Sequence, residues 1–296
     1  MNRLSWVAVF AAVIPIFSAR AHQPVMDMAP RWSGGWGLQL RQVWYGSDEY
    51  LSGSKKLANP LGLERYVRQT WLEGVYTFDR SRRVTFKMPY LDKERTTLVG
   101  GVPNRQEASG WGDLVLAAPL KKYRNLERYT DNFGLTPQVR LPTGSTSGAY
   151  ALSDGSLDFG LSLSYSGEGY LFEALLKLNF YHLYDVFYWE NREGKGGLEE
   201  GDEIGLDVNL GFKLFHDNDS NTGAFVMWDL TARRQKAGDA RTGAYAGRSV
   251  HTGPVFVWYK DSLMFRAEWK MPAYEEREGS GIARGDLFEF GLGISF

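Results

Sequence analysis

Cysteine is absent, and histidine occurs only four times in 296 residues. The first absence excludes a disulfide framework, a thiolate nucleophile and a cysteine metal site. The second leaves few candidates for acid–base chemistry. Neither charge dominates, with 34 Lys and Arg against 35 Asp and Glu, so the basic stripe of a nucleic-acid partner is missing. After the N-terminus no apolar run is long enough for a membrane helix. No nucleotide-binding glycine loop occurs either, because Gly34-Gly35-Trp36-Gly37 opens a strand rather than a helix. What the chain has in quantity is aromatic side chains, 15% of residues, under a slightly polar mean hydropathy of −0.35. An oily outer surface balanced by a wet interior gives that combination.

The last eleven residues set the pattern. Phe288, Phe290, Leu292, Ile294 and Phe296 share one parity, and Glu289, Gly291, Gly293 and Ser295 the other. This is a period-two strand with one apolar face. Ending on phenylalanine, it has the form of a membrane-insertion signal read by the barrel-assembly machinery. About twelve such segments are expected. They run near Trp36–Gly46, Arg65–Phe78, Arg83–Leu91, Gly110–Tyr123, Asn132–Leu141, Ser156–Ser166, Tyr170–Tyr188, Glu203–Phe215, Gly223–Arg233, Arg248–Tyr259, Ser262–Lys270 and Asp286–Phe296. Most are too long for a soluble β-sandwich or lipocalin-like barrel and suit a tilted membrane crossing. Short turns, such as Asp79–Arg82 and Gly167–Gly169, alternate with long loops, such as Asp92–Ser109, Pro142–Gly155 and Glu190–Asp202. Tyr123–Asp131 is the one short-side connection that reads as too long. The expected fold is an all-β, transmembrane, antiparallel up-and-down barrel of the bacterial outer membrane, spanning 36–296. Tyr90, Trp189, Trp258 and Trp269 are placed to form its aromatic girdle.

Arg3, the apolar run Trp6–Phe17 and Ala19-Arg20-Ala21 compose a signal peptide over 1–21. Residues 22–35 follow as a short periplasmic tail. Cleavage after Ala21 exposes an amine and imidazole on His22, ahead of Met26 and Met28. That donor set suits copper, but a plain polar leader accounts for it better, since tails carry such residues by chance, and no metal site is assigned.

The segment Gly110-Trp111-Gly112-Asp113-Leu114, with Leu141-Pro142-Thr143-Gly144 and Gly155-Ser156-Leu157-Asp158-Phe159-Gly160, resembles a family of outer-membrane transporters of the meta-pathway of phenol degradation. The resemblance covers about 110–165. It implies a monomeric barrel that moves small hydrophobic or aromatic compounds. It supplies no functional residues and no cofactor.

A charged side chain facing lipid is costly, so charges on the alternate parity are expected to face the lumen. The candidates are Lys87, Asp113, Gln138, Arg140, Asp158, Glu173, Lys177, Asp207, Asn209, Asp229, Arg233, Arg266, Glu268 and Glu289. They would line a conduit for small molecules, filtered by inward-folded loops such as Asp92–Ser109 or Glu190–Asp202. Mixed signs predict weak ion selectivity. A lumen plugged by the same ion pairs is the rival. A barrel hydrolase is a third reading. It rests on His251 beside Ser249, since His182 faces outward and His216 sits in a turn. No enzyme activity is expected. The expected partners are outer-membrane lipid, lipopolysaccharide, the assembly machinery and the cargo.

Overall fold

The structure is a computed structural model that describes residues 33–126, 129–148, 150–170, 179–217, 219–239, 242 and 246–296. Alternating side chains drive each segment to pair on both edges, because an apolar face in lipid leaves no water for an open sheet edge. The strands are β1 (Gly35–Ser47), β2 (Arg65–Asp79), β3 (Arg82–Val99), β4 (in pieces Val102–Trp111, Leu114–Ala117 and Leu120–Asn125) and β5 (Tyr129–Leu141). Then come β6 (Asp158–Tyr170), β7 (Asn179–Glu190), β8 (Glu203–Asp217), β9 (Thr222–Gln235), β10 (Gly247–Lys260), β11 (Leu263–Arg277) and β12 (Leu287–Ser295). Each pairs antiparallel with its neighbours in sequence, and β12 pairs with both β11 and β1, for example Leu292 opposite Leu40. The sheet is therefore a closed antiparallel barrel of twelve strands, as expected.

The outer face carries the apolar parity: Leu40, Leu72, Leu161, Leu163, Leu210, Trp228, Phe290 and Leu292 are all exposed. Trp36, Tyr76 and Phe78 cluster near the end that holds the termini, and Trp269 stacks on Phe288 with centroids 5.7 Å apart. Leu292 is 60% exposed in the middle of β12. Leu292→Arg is expected to cost about 2–4 kcal/mol in a bilayer, measured by denaturant unfolding in lipid. Unchanged stability would mean that this face does not meet hydrocarbon.

Several sequence expectations change in detail. Asp92–Ser109 is no inward loop: β3 and β4 stay paired from Tyr90 opposite Trp111 out to Val99 opposite Val102. It is a ribbon beyond the barrel, carrying the ion pairs Arg68–Asp92 and Arg105–Glu94. Gly167–Gly169 is strand rather than turn, because β6 runs to Tyr170 opposite Asn179. The long connection at Tyr123–Asp131 shrinks, since β4 continues to Asn125 opposite Thr130. Trp189 points inward, under the Arg140 guanidinium at 4.8 Å, rather than joining a girdle.

The breaks in β4 follow from composition. Pro119 and Pro137 lack N–H groups, so two ladder bonds cannot form there, although Arg83 N and Ala118 N still donate to their carbonyls. At Gly112-Asp113 the strand carries one extra residue, between the pairs Tyr90–Trp111 and Lys87–Val115. That bulge re-aims Asp113 towards the loop end.

Candidate functional site

Inside the barrel a cavity of about 1160 Å³ extends from Arg80, Tyr123 and Leu126 at the turn end to Glu200, Thr242 and Arg284 at the loop end. Its midsection is a belt of paired charges. Arg41 on β1 donates to Glu73 on β2 at 2.6 Å and to Glu289 on β12 at 2.8 Å. On β11, Arg266 donates to Glu268 at 2.7 Å and lies 3.4 Å from Glu289. Lys270 reaches Glu268 at 3.0 Å and Asp229 on β9 at 2.7 Å. Lys87 faces Glu73 in register. The belt thus sets four carboxylates against four cations.

Two lumen-facing glycines border the belt. Gly253 on β10 pairs with Asp229, and a side chain there would run into the Trp269 carbonyl. Gly291 on β12 pairs with both Arg41 and Arg266, and the Gln39 amide takes the space a side chain there would fill.

A second element sits towards the turn end, where one side of the lumen is packed with apolar side chains. Tyr181, Phe225, Met227, Val255, Val257, Tyr259 and Met264 form one packed cluster, with Phe225, Val257, Tyr259 and Met264 0% exposed. It fills one side of the interior, along β7 and β9–β11, and confines the open space to the opposite wall.

The third element is the loop between β5 and β6, which folds into the mouth. Tyr150, Ala151, Leu152, Ser153 and Asp154 are buried. Lys93 Nζ donates to the Ala151 carbonyl at 3.2 Å, and the Arg95 guanidinium lies 4.2 Å from the Tyr150 ring centre. The base of the loop is pinned by three short motifs that lie far apart along the chain. Asp113 Oδ1, turned by the bulge, accepts from Gly144 N at 2.8 Å. Thr143 Oγ1 accepts from Leu114 N at 2.9 Å and donates to Gly112 O at 3.1 Å. Ser156 Oγ bridges the Asp154 and Asp158 carboxyls, and Arg192 N donates to Asp158 at 2.9 Å. From β5, Arg140 pairs with Glu200 at 2.7 Å and with Asp158 at 3.4 Å.

Asp154 gives this loop a pH dependence. Burial pushes its carboxyl up to about 6 from an ordinary 3.8; the Ser156 N–H and hydroxyl oppose the shift, and the nearby Glu200 and Asp158 carboxylates add to it. The seated loop therefore holds a proton that a released loop gives up. Seating is fully favoured below about pH 4 and weakens as pH rises through about 6. Channel current is expected to fall on acidification from about pH 7 to about pH 5, and Asp154→Asn to flatten that response. A wild-type current that does not change over this range would contradict the assignment.

Of the sequence candidates, Lys87, Asp113, Gln138, Arg140, Asp207, Asn209, Asp229, Arg233, Arg266, Glu268 and Glu289 border the cavity. Asp158 does not: it is fully buried under the β5–β6 loop. Glu173 and Lys177 lie outside the described residues, as do His22, Met26, Met28 and the signal-peptide segment. Glu190–Asp202 contributes Glu200 to the lumen wall, but the principal inward loop is the one between β5 and β6. Arg41, Glu73 and Lys270, all belt members, were not among the candidates, although Arg41 and Glu73 sit on the inward parity of β1 and β2. His251 faces the lumen, where its Nε2 donates to the Gly285 carbonyl at 3.1 Å and lies 3.6 Å from Glu275.

A closed barrel with an apolar band outside and matched charges within defines a β-barrel of the bacterial outer membrane. The chain belongs to the family described as "Putative MetA-pathway of phenol degradation", whose profile matches residues 44–283. No curated protein matches it. Among solved structures it is similar to an outer membrane channel from Pseudomonas putida F1, with a TM-score of 0.66 at 14% identity over 93% of this chain and 100% of that one. Weaker similarities include the β domain of the Bordetella autotransporter BrkA, with a TM-score of 0.45 at 12% identity over 89% of this chain and 100% of that one. Another is a deletion mutant of the TodX monoaromatic hydrocarbon channel, with a TM-score of 0.39 at 10% identity over 90% of each chain.

Proposed function

We propose that this barrel is a channel for small, hydrophobic or aromatic molecules crossing the outer membrane by passive or facilitated diffusion. The observation that carries the reading is the end-to-end cavity of about 1160 Å³ with its balanced belt. Matched charges favour neither ion sign strongly. Aromatic faces accompany the cations along the wall: Arg41 over Trp71 at 5.5 Å, Arg65 over Tyr45 at 5.9 Å and Arg80 over Tyr123 at 4.0 Å. A planar solute with one polar group finds both a π face and a hydrogen-bonding partner there. The family's description, which names phenol degradation, agrees with that cargo.

The cargo class is tested by loading liposomes with the refolded barrel and following uptake of phenol, benzoate and a sugar of similar mass. Faster entry of the aromatic solutes than of the sugar supports the proposal. Equal rates, or entry of the sugar alone, refute the cargo class. A second reading, a closed scaffold, draws on the apolar cluster and the inward loop, and conductance separates the two. Catalysis has no support from His251, whose ring contacts are a carbonyl and a carboxylate inside the lumen rather than a serine. The proposal includes a cleaved signal peptide over 1–21, a periplasmic tail over 22–35, insertion by the barrel-assembly machinery from the C-terminal strand, and a monomer surrounded by phospholipid and lipopolysaccharide.

A further inference from the structure

A second cavity, of about 700 Å³, lies in the outer wall rather than the lumen. Its floor follows from register. One rung across five strands reads Arg82, Leu120, Leu135, Leu163, Val186, and the next reads Lys122, Phe133, Tyr165, Tyr184. All of these side chains sit on the outward parity and line the groove, with Ser81 added from the turn. Arg82 is the first residue of β3, at the short turn, whereas Val186 lies well inside β7. The groove therefore climbs obliquely from the periplasmic edge towards the middle of the membrane.

Its lower end is cationic and its upper end apolar. Arg82 is paired with Asp79 at 2.6 Å, and Arg124, one outward position beyond Lys122, with Asp131. Lys122 has no partner among the described residues. Among the described residues three cations thus face two carboxylates, which leaves Lys122 as an unmatched positive charge on the lipid-facing wall. Four strand spacings give the upper rung a span of roughly 19 Å, longer than the ~15 Å half-thickness of the hydrocarbon core and suited to a chain lying at a slant.

We propose that this groove is a binding site for a glycerophospholipid of the periplasmic leaflet, with the phosphate held by Lys122 and Arg82 and one acyl chain laid along Leu120, Leu135, Leu163 and Val186. The site is independent of the lumen, so it stands or falls apart from the channel reading. The test titrates the delipidated full-length barrel, in a non-ionic detergent, with dioleoyl phosphatidylglycerol, with the diacylglycerol of the same chains, and with inorganic phosphate, read by native mass spectrometry. One phosphatidylglycerol per barrel should be retained, with neither diacylglycerol nor phosphate retained alone. Lys122→Ala should weaken retention about five-fold, and Leu163→Trp, which fills the groove, should weaken it too, both with wild-type heat-modifiability and conductance. Equal retention of diacylglycerol, displacement of the lipid by inorganic phosphate, or full retention by both variants would each overturn the site and leave only a non-specific lipid coat.

Discussion

Replacing Arg41 with leucine is expected to lower the unfolding free energy of the barrel by about 3 kcal/mol. Arg41 bonds carboxylates on both of its neighbouring strands, Glu73 and Glu289. Its removal leaves those two acids in a confined space, with Lys87 opposite Glu73 and Arg266 beside Glu289. Breaking one partner of a buried pair costs far more than the pair contributes, because the remaining charge is left without its counter-ion. The triple variant Arg41→Leu, Glu73→Leu, Glu289→Leu should therefore recover part of the loss, the remainder coming from Lys87, which loses Glu73 opposite it. Urea unfolding in lipid vesicles measures both. The single variant also leaves the belt one charge negative, so reversal potentials under a salt gradient should move towards cation preference. A single variant as stable as the wild type, with unchanged selectivity, would mean that the belt is hydrated enough to screen its own charges.

Replacing residues 145–155 by a short glycine–serine linker should raise single-channel conductance several-fold, because this segment seats Tyr150, Leu152 and Asp154 in the mouth. The loop is held by its base rather than by its tip. Asp113→Ala should therefore give part of the same increase by removing the acceptor for Gly144 N, with the barrel itself intact. If both variants conduct like the wild type, the constriction lies at the apolar cluster around Phe225 and Tyr259.

The barrel was legible because lipid outside and water inside impose a strict period of two. Leu157 to Tyr165, Ile204 to Leu214 and Phe288 to Phe296 all show it. The strand count followed from the same rule. The rule fails where both faces are apolar. In β10, Val255, Val257 and Tyr259 point inward while Phe256 and Trp258 point outward, so alternation gave no sign of the packed cluster. It also fails for loops, whose paths depend on side-chain contacts between distant segments. The three family-like motifs could be read in the sequence, but not that Asp113, Thr143 and Ser156 converge to tie down one loop. Lys270 stands on the same inward parity as Arg266 and Glu268, but its partner Asp229 lies two strands away, on β9. No single strand carries that information.

On the proposed function the lumen is open and filtered. The most direct test is single-channel recording of the refolded barrel in a planar bilayer, with aromatic acids and alcohols added in turn. Small stepwise conductance, weak ion selectivity at neutral pH and block by aromatic solutes are expected. A folded, heat-modifiable barrel that stays silent both intact and with residues 145–155 replaced would contradict an open lumen.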